Sequence, residues 1–139
     1  MIGMESFGVE GEYKSLTFVY SDSPPLEAGD LYKLNNTAGL IFVAEKIDLD
    51  TGCRADLTVE PGETGVLIYS CEKIQLPKQA VVILTGQALY WNGVTGTGVT
   101  NVWATGLFQI GIAVAGAALA DANVLSDLSG DHCDDEVAP

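Results

Sequence analysis

The chain reads as an all-β protein: a single small β-barrel or sandwich domain with an extended N-terminal arm and a short acidic C-terminal tail. Three observations predict this. Val, Thr, Ile, Tyr and Phe recur in short runs, a composition suited to pleated, half-buried strands. Sixteen glycines, with Pro24-Pro25, Pro61-Gly62 and Asn92-Gly93, punctuate those runs, as turns between strands require. With 47% apolar and 18% charged residues in a chain of 139, there is enough apolar matter for one domain that buries about two-thirds of its unfolded surface.

Residues 1–14 form the arm, in which Gly3, Gly8 and Gly11 space out Met1, Ile2, Met4, Phe7 and Val9. That spacing is too interrupted for a helix. Its apolar content leaves two readings open, a disordered tail or a segment that orders on a partner by strand addition. The domain at 15–130 opens with a strand at Ser15–Tyr20, followed by a loop through Pro24-Pro25 and Gly29-Asp30. Strands at Leu31–Leu34 and Gly39–Ala44 flank the turn Asn35-Asn36, and Ala55–Val59 forms another before Pro61-Gly62.

Thr64–Cys71 is almost continuously apolar and runs on into Glu72–Leu76, where only Ile74 and Leu76 remain apolar. A change of parity within one strand predicts a bulge or turn near Ser70–Glu72. Pro77 ends the strand, and the four apolar residues of Val81–Leu84 fit a short strand or one helical turn equally well. Ala88–Trp91 leads into the Asn92-Gly93 turn, Thr95–Thr100 is a loop or hairpin, and Val102–Ala104 pairs weakly. Leu107–Val114 reads as a strand although its Gly and Ala residues also suit a helix; Val124–Leu128 follows and closes the sheet. The tail, 131–139, carries four acids and no periodicity.

Charge narrows the function. Nineteen acids face six bases, for a formal net charge of −13, and no Lys or Arg follows Lys78. Duplex binding needs cations to neutralise phosphates, so bare nucleic acid is excluded as a partner, and an anionic membrane is repelled in the same way. A basic protein surface would be attracted. Cys53, Cys71 and Cys133 are odd in number and lack CxxC spacing, which points to reduced thiols in a cytosolic setting. The N-terminus lacks the basic start and apolar core of a signal peptide, and Gly106–Ala120 is too short an apolar stretch to span a bilayer.

No motif carries chemistry. Gly93–Thr100 spaces its glycines as G-x-x-G-x-G and is followed by no Lys-Ser/Thr, so it makes neither a dinucleotide fingerprint nor a P-loop. His132 is the single histidine and lies in the tail, a poor place for a triad. Asp131, His132, Cys133, Asp134 and Asp135 are adjacent rather than spaced, unlike a tetrahedral metal site. Asp48–Gly52 lacks the register of a calcium loop. The expectation is therefore a chain without catalytic residues, cofactor or metal. Tyr90, Trp91, Trp103 and Phe108 could stack bases, but without cations they point to core packing or a subunit interface.

Several segments, taken in order, resemble the small capsid cement, or head decoration, proteins of tailed bacteriophages. They are Ala28-Gly29-Asp30 before a strand, PGETGVLIYSCEKIQLPK at 61–78, Gly86-Gln87-Ala88-Leu89-Tyr90-Trp91-Asn92, and FQIGIAVAGAALADANVLSDLSG at 108–130. Gly86-Gln87 stands where that family usually has Gly-Asp, and Cys71 or its neighbour replaces a usual Gly. The resemblance implies a non-enzymatic, barrel-like homotrimer, made in the host cytoplasm. On the outer surface of the virion it would stabilise the expanded head by clamping neighbouring major capsid subunits. On that reading the arm (Met1, Ile2, Met4, Phe7, Val9) and the first strand (Phe18, Tyr20) meet the shell. The alternatives are another virion β-component in a head fibre or tail, and a ligand-binding or enzymatic barrel with a pocket near Tyr90, Trp91 and Trp103.

Overall fold

The computed structural model describes residues 10–42 and 58–130. Nine strands and no helix occupy them: β1 (Glu10–Val19), β2 (Leu26–Glu27), β3 (Leu31–Leu34), β4 (Thr37–Phe42), β5 (Thr58–Val59), β6 (Thr64–Pro77), β7 (Ala88–Trp91), β8 (Phe108–Ala113) and β9 (Asn123–Ser129). The fold is all-β, as the composition predicted. The main sheet runs β3-β4-β6-β9-β8-β7, with β1 on the other edge of β6, and curls into a half-barrel. Two isolated bridges, Tyr90 with Thr100 and Lys78 with Val99, carry backbone pairing from β7 back to the end of β6.

β6 organises this arrangement because it pairs along both edges. β1 lies along Thr64–Lys73, while β4 takes Val66–Ile68 and β9 takes Ser70–Pro77 on the opposite edge. β4 and β9 therefore meet end to end, and Gly130 joins them: its N–H donates to the Tyr69 carbonyl at 2.7 Å and its own carbonyl accepts from Ala38 N–H at 2.7 Å. A Cβ at Gly130 would overlap the Ala38 carbonyl, and one at Gly39 would overlap the Ile68 carbonyl.

Two cores follow from the pleat. Ile68, Cys71, Ile74 and Leu76 of β6 enter the larger one with Leu40, Leu89, Trp91, Phe108, Ile110 and Leu128. Leu67, on the other face, joins Phe18, Tyr20 and Ile41. The small β2–β5 ribbon covers that second core with Leu26 and Val59. Each fully buried large side chain contributes about 1.5–3 kcal/mol. The expected bulge is present: β6 slips by one residue against β1 between Ile68 and Ser70, and again against β9 between Cys71 and Ile74. Two slips cancel, so Cys71 reaches the same core as Ile68, Ile74 and Leu76 despite its opposite parity.

Some expectations are corrected. β1 starts at Glu10, so residues 10–14 belong to the sheet and not to an arm. Val81–Leu84 is neither strand nor helical turn; it makes a single bridge, Ile83 to Ala117. Asn92-Gly93 is no tight hairpin, since β8 begins only at Phe108. Asn92 Oδ1 instead accepts from Val94 N–H at 2.9 Å, an Asx turn that sends the chain outward. Val102–Ala104 does not pair; Val99 and Thr100 take that role, and the Thr100 hydroxyl accepts Val102 N–H at 3.3 Å. Residues 55–57 of the expected fifth strand and the tail at 131–139 lie outside the described residues.

One local design recurs. At Glu27–Asp30 the Asp30 N–H donates to the Glu27 carbonyl at 3.0 Å and the Asp30 carboxylate accepts from Glu27 N–H at 2.9 Å. Gly29, at φ 91°, supplies the left-handed position. Leu84–Gln87 repeats the turn with Gly86 at φ 88° and Gln87 Oε1 accepting from Leu84 N–H at 2.8 Å. Gly29 and Asp30 then pair with Ile41 as Gly86 and Gln87 pair with Ala113. The Gly-Gln departure thus keeps the turn and removes its charge.

Steric overlap and backbone strain make separable demands on the glycines. Gly39→Ala is expected to lower stability by about 3 kcal/mol, since backbone must move. Gly62→Ala, at φ 92° with open space around it, should cost only about 1–2 kcal/mol. Urea unfolding of the two variants checks the order.

Candidate functional site

Three surfaces of the described residues could receive a partner. The first is β1. It pairs only with β6 among the described strands, and its Glu12, Tyr13, Lys14, Ser15, Thr17 and Val19 are exposed. Beside it, Glu12, Tyr13, Lys14, Ser70, Cys71, Glu72 and Asp127 line an open groove of about 540 Å³. Cys71 is buried there, its thiol bonded to the Lys73 carbonyl at 3.2 Å.

The second is an acidic groove of about 760 Å³ between the loop after β1 and the β2–β5 ribbon, lined by Tyr20, Asp22, Glu27, Asp30, Tyr32 and Glu60 among others. The Tyr20 hydroxyl donates to the Pro24 carbonyl and fixes one wall. Tyr20 backbone pairs with Gly62 and Glu63 and fixes the other. Phe18 stacks on Tyr32 at 5.3 Å and Tyr20 meets Tyr32 edge-on at 5.9 Å. Burial first, and the Asp22 carboxylate second, push the Tyr20 and Tyr32 hydroxyls above the ordinary 10.0. Both stay neutral near pH 7, and the groove's negative charge comes from its carboxylates.

The third surface is the loop end of the half-barrel. From Gln79 through Ala120 no residue is Asp, Glu, Lys, Arg or His; hydrogen bonds bring the segments around Val82–Gln87 and Asn101 together, while Thr95 and Gly96 of the same stretch line the acidic groove. Asn101 Nδ2 donates to the Val82 carbonyl at 3.0 Å and to Gln87 Oε1 at 2.7 Å. Trp91 Nε1 donates to the Thr97 carbonyl at 2.8 Å. Lys78 Nζ, largely buried, donates to the carbonyls of Asp121 at 3.0 Å and Leu119 at 3.4 Å. Asp121 in turn caps Ala118 N–H at 2.8 Å. Around this fixed frame Val82, Leu84, Val102 and Leu119 are between 55% and 61% exposed.

Of the residues the sequence assigned to a contact surface, Phe18 and Tyr20 are buried in the second core. Their side chains hold β1 from within, and its outward residues form the surface. Met1, Ile2, Met4, Phe7 and Val9 lie outside the described residues, as do Cys53, Cys133, His132 and Asp48–Gly52. Tyr90, Trp91 and Phe108 are buried, with Trp91 and Phe108 edge-on at 5.8 Å in the larger core. Trp103 is partly exposed. Sequence reasoning missed Val82, Leu84, Gln87, Asn101 and Val102. The signal available for them was the uninterrupted lack of charge from Gln79 to Ala120. Among the described residues no three His, Cys, Asp or Glu side chains converge to hold a metal, and the geometry at all three surfaces suits contact.

The pH response follows from the tyrosines. A folded-state pKa raised above the unfolded value stabilises below the unfolded value and is lost as pH rises through the raised one. Stability is therefore expected to fall as pH climbs above about 10. Tyr20→Phe with Tyr32→Phe should flatten that fall in thermal melts taken across the alkaline range.

Compared with known proteins, the chain matches a family model described as phage cement protein over residues 11–128. No curated protein and no solved structure matches it.

Proposed function

The chain belongs to the phage cement protein family, and we propose that it decorates the outside of an expanded phage head as a homotrimer, clamping neighbouring copies of the major capsid protein. Membership makes it a capsid-associated component of a structural, non-enzymatic class. The observation that carries the finer reading is the extent of the match, which reaches from β1 into β9 and takes in the central strand and the turns. A binder of this size covers little shell on its own. Three linked copies turn weak contacts into avidity, and binding only the expanded lattice stabilises that lattice by mass action.

Contact with the shell falls to the arm (Met1, Ile2, Met4, Phe7, Val9) and to the outward side of β1 that follows it. Phe18 and Tyr20 act from behind by fixing the strand. Two features support this assignment: the exposed outer side chains of β1, and the apolar residues that precede it in the sequence. The acidic surface suits a basic partner.

Purified chain added to undecorated expanded heads should bind to saturation and raise the temperature at which the heads rupture. Deleting residues 2–9 should abolish binding while circular dichroism stays that of the folded sheet. Full occupancy by the deletion variant would remove the arm from the contact. Localisation along tails would overturn the head assignment.

A further inference from the structure

We propose that copies of this chain associate with one another through the uncharged loop end of the half-barrel, the surface bearing Val82, Leu84, Val102 and Leu119. This deepens the trimeric reading above and rests on it for the number of copies. At −13 each copy repels every other, and like charges brought together at a contact cost several kcal/mol. Among the described surfaces, β1 presents Glu12 and Lys14, and its groove adds Glu72 and Asp127. The second groove presents Asp22, Glu27, Asp30 and Glu60. Of these surfaces the loop end offers a second copy the least charged face: the segment from Gln79 to Ala120 contains no charged residue, and exposed Asp121 stands only at its margin, two residues past Leu119. A shell partner able to complement acids would have no need of such a face; another copy of the same acidic chain does.

The surface is also apolar and fixed in shape. Four aliphatic side chains more than half exposed stand around backbone held by Asn101, Gln87 and Lys78. Pre-ordered loops lose little freedom on binding, and a patch rimmed by polar groups is what an association site presents. Gln87 makes the point at one atom. The turn it caps is built like the one capped by Asp30 at the other end of the molecule, yet here an amide oxygen does the work of a carboxylate. The turn survives and the face stays neutral.

Sedimentation equilibrium of the full-length chain without heads tests this. The wild type should associate at micromolar concentration. Gln87→Glu keeps an oxygen for Leu84 N–H and adds one charge per copy. It should raise the concentration for half-dissociation at least about tenfold at ~0.05 M salt, and less at ~0.5 M, where screening shortens the Debye length. Leu84→Asp and Val102→Asp should leave monomer at both salts, with circular dichroism unchanged. Val19→Asp, on exposed β1, should associate as the wild type does. A monomeric wild type, or charged variants that still associate, would overturn the inference. Charged variants that associate normally but lose head binding would overturn it too, assigning this face to the shell and leaving the decoration role standing. Association through this face in a chain that ignores heads would uphold it while the decoration role fell.

Discussion

β6 has to satisfy two packing faces and two hydrogen-bonded edges along one extended segment. Leu67 and Ile68 are neighbours in sequence and sit in different cores, which is possible only because a strand's side chains alternate. Its first half is apolar on both faces since the β2–β5 ribbon covers one and the half-barrel interior the other. The ribbon reaches no further, and from Glu72 onward one face is wet. The two register slips reconcile these halves. Without them Cys71 would point away from the interior and Glu72 toward it. The slips leave Glu72 and Lys73 both exposed, and they return Ile74 and Leu76 to the interior.

Because both edges of β6 are occupied, the remaining strands have little freedom. β4 and β9 must share an edge, and the point where they meet admits no side chain; hence Gly130 and Gly39. β1 takes the other edge as far as Lys73. Beyond it, the segment at Val99 uses the vacated backbone of Pro77 and Gln79. The long loop after β7 therefore has a structural address. It closes the curl that β7 alone leaves open, and it carries Asn101 and Val102 to the same end as Val82 and Leu84.

How much of this was legible in the residues depends on the range of the cause. The all-β class, the strands at Leu31–Leu34 and Ala88–Trp91, and the bulge near Ser70–Glu72 have local causes: β-rich composition, turn residues and a change of parity. All were readable. The Asn92-Gly93 turn misled because the dipeptide states that the chain turns, not what it pairs with next. In this protein sixteen residues separate β7 from its partner β8. Phe18 and Tyr20 read as apolar strand residues near an arm, a description that fits an outer face and an inner one alike. The β2–β5 ribbon decides between them, and a two-residue ribbon has too little sequence to announce itself. The equivalence of Gln87 and Asp30 was hidden for a different reason: an amide and a carboxylate look unlike in a sequence but accept the same backbone hydrogen bond.

The unequal placement of charge then ties packing to assembly. A small all-β chain must keep its loops soluble, and the usual means is to charge them. Here most charges sit on β1, the first loops and β6, while the loop end is held mainly by neutral hydrogen bonds, with Lys78 and Asp121 the charged groups that take part. Even the one lysine beside it has its ammonium drawn inward onto carbonyls. Neutral side chains could have packed this end equally well beneath a charged rim, so packing does not require the bare surface. Exposed aliphatics without a neighbouring charge carry a cost in solubility, and that cost is offset when the surface is covered. On the proposed association, the acids elsewhere disfavour other approaches by a like copy, so the same distribution that leaves this end sparsely charged also biases the orientation in which two copies would meet.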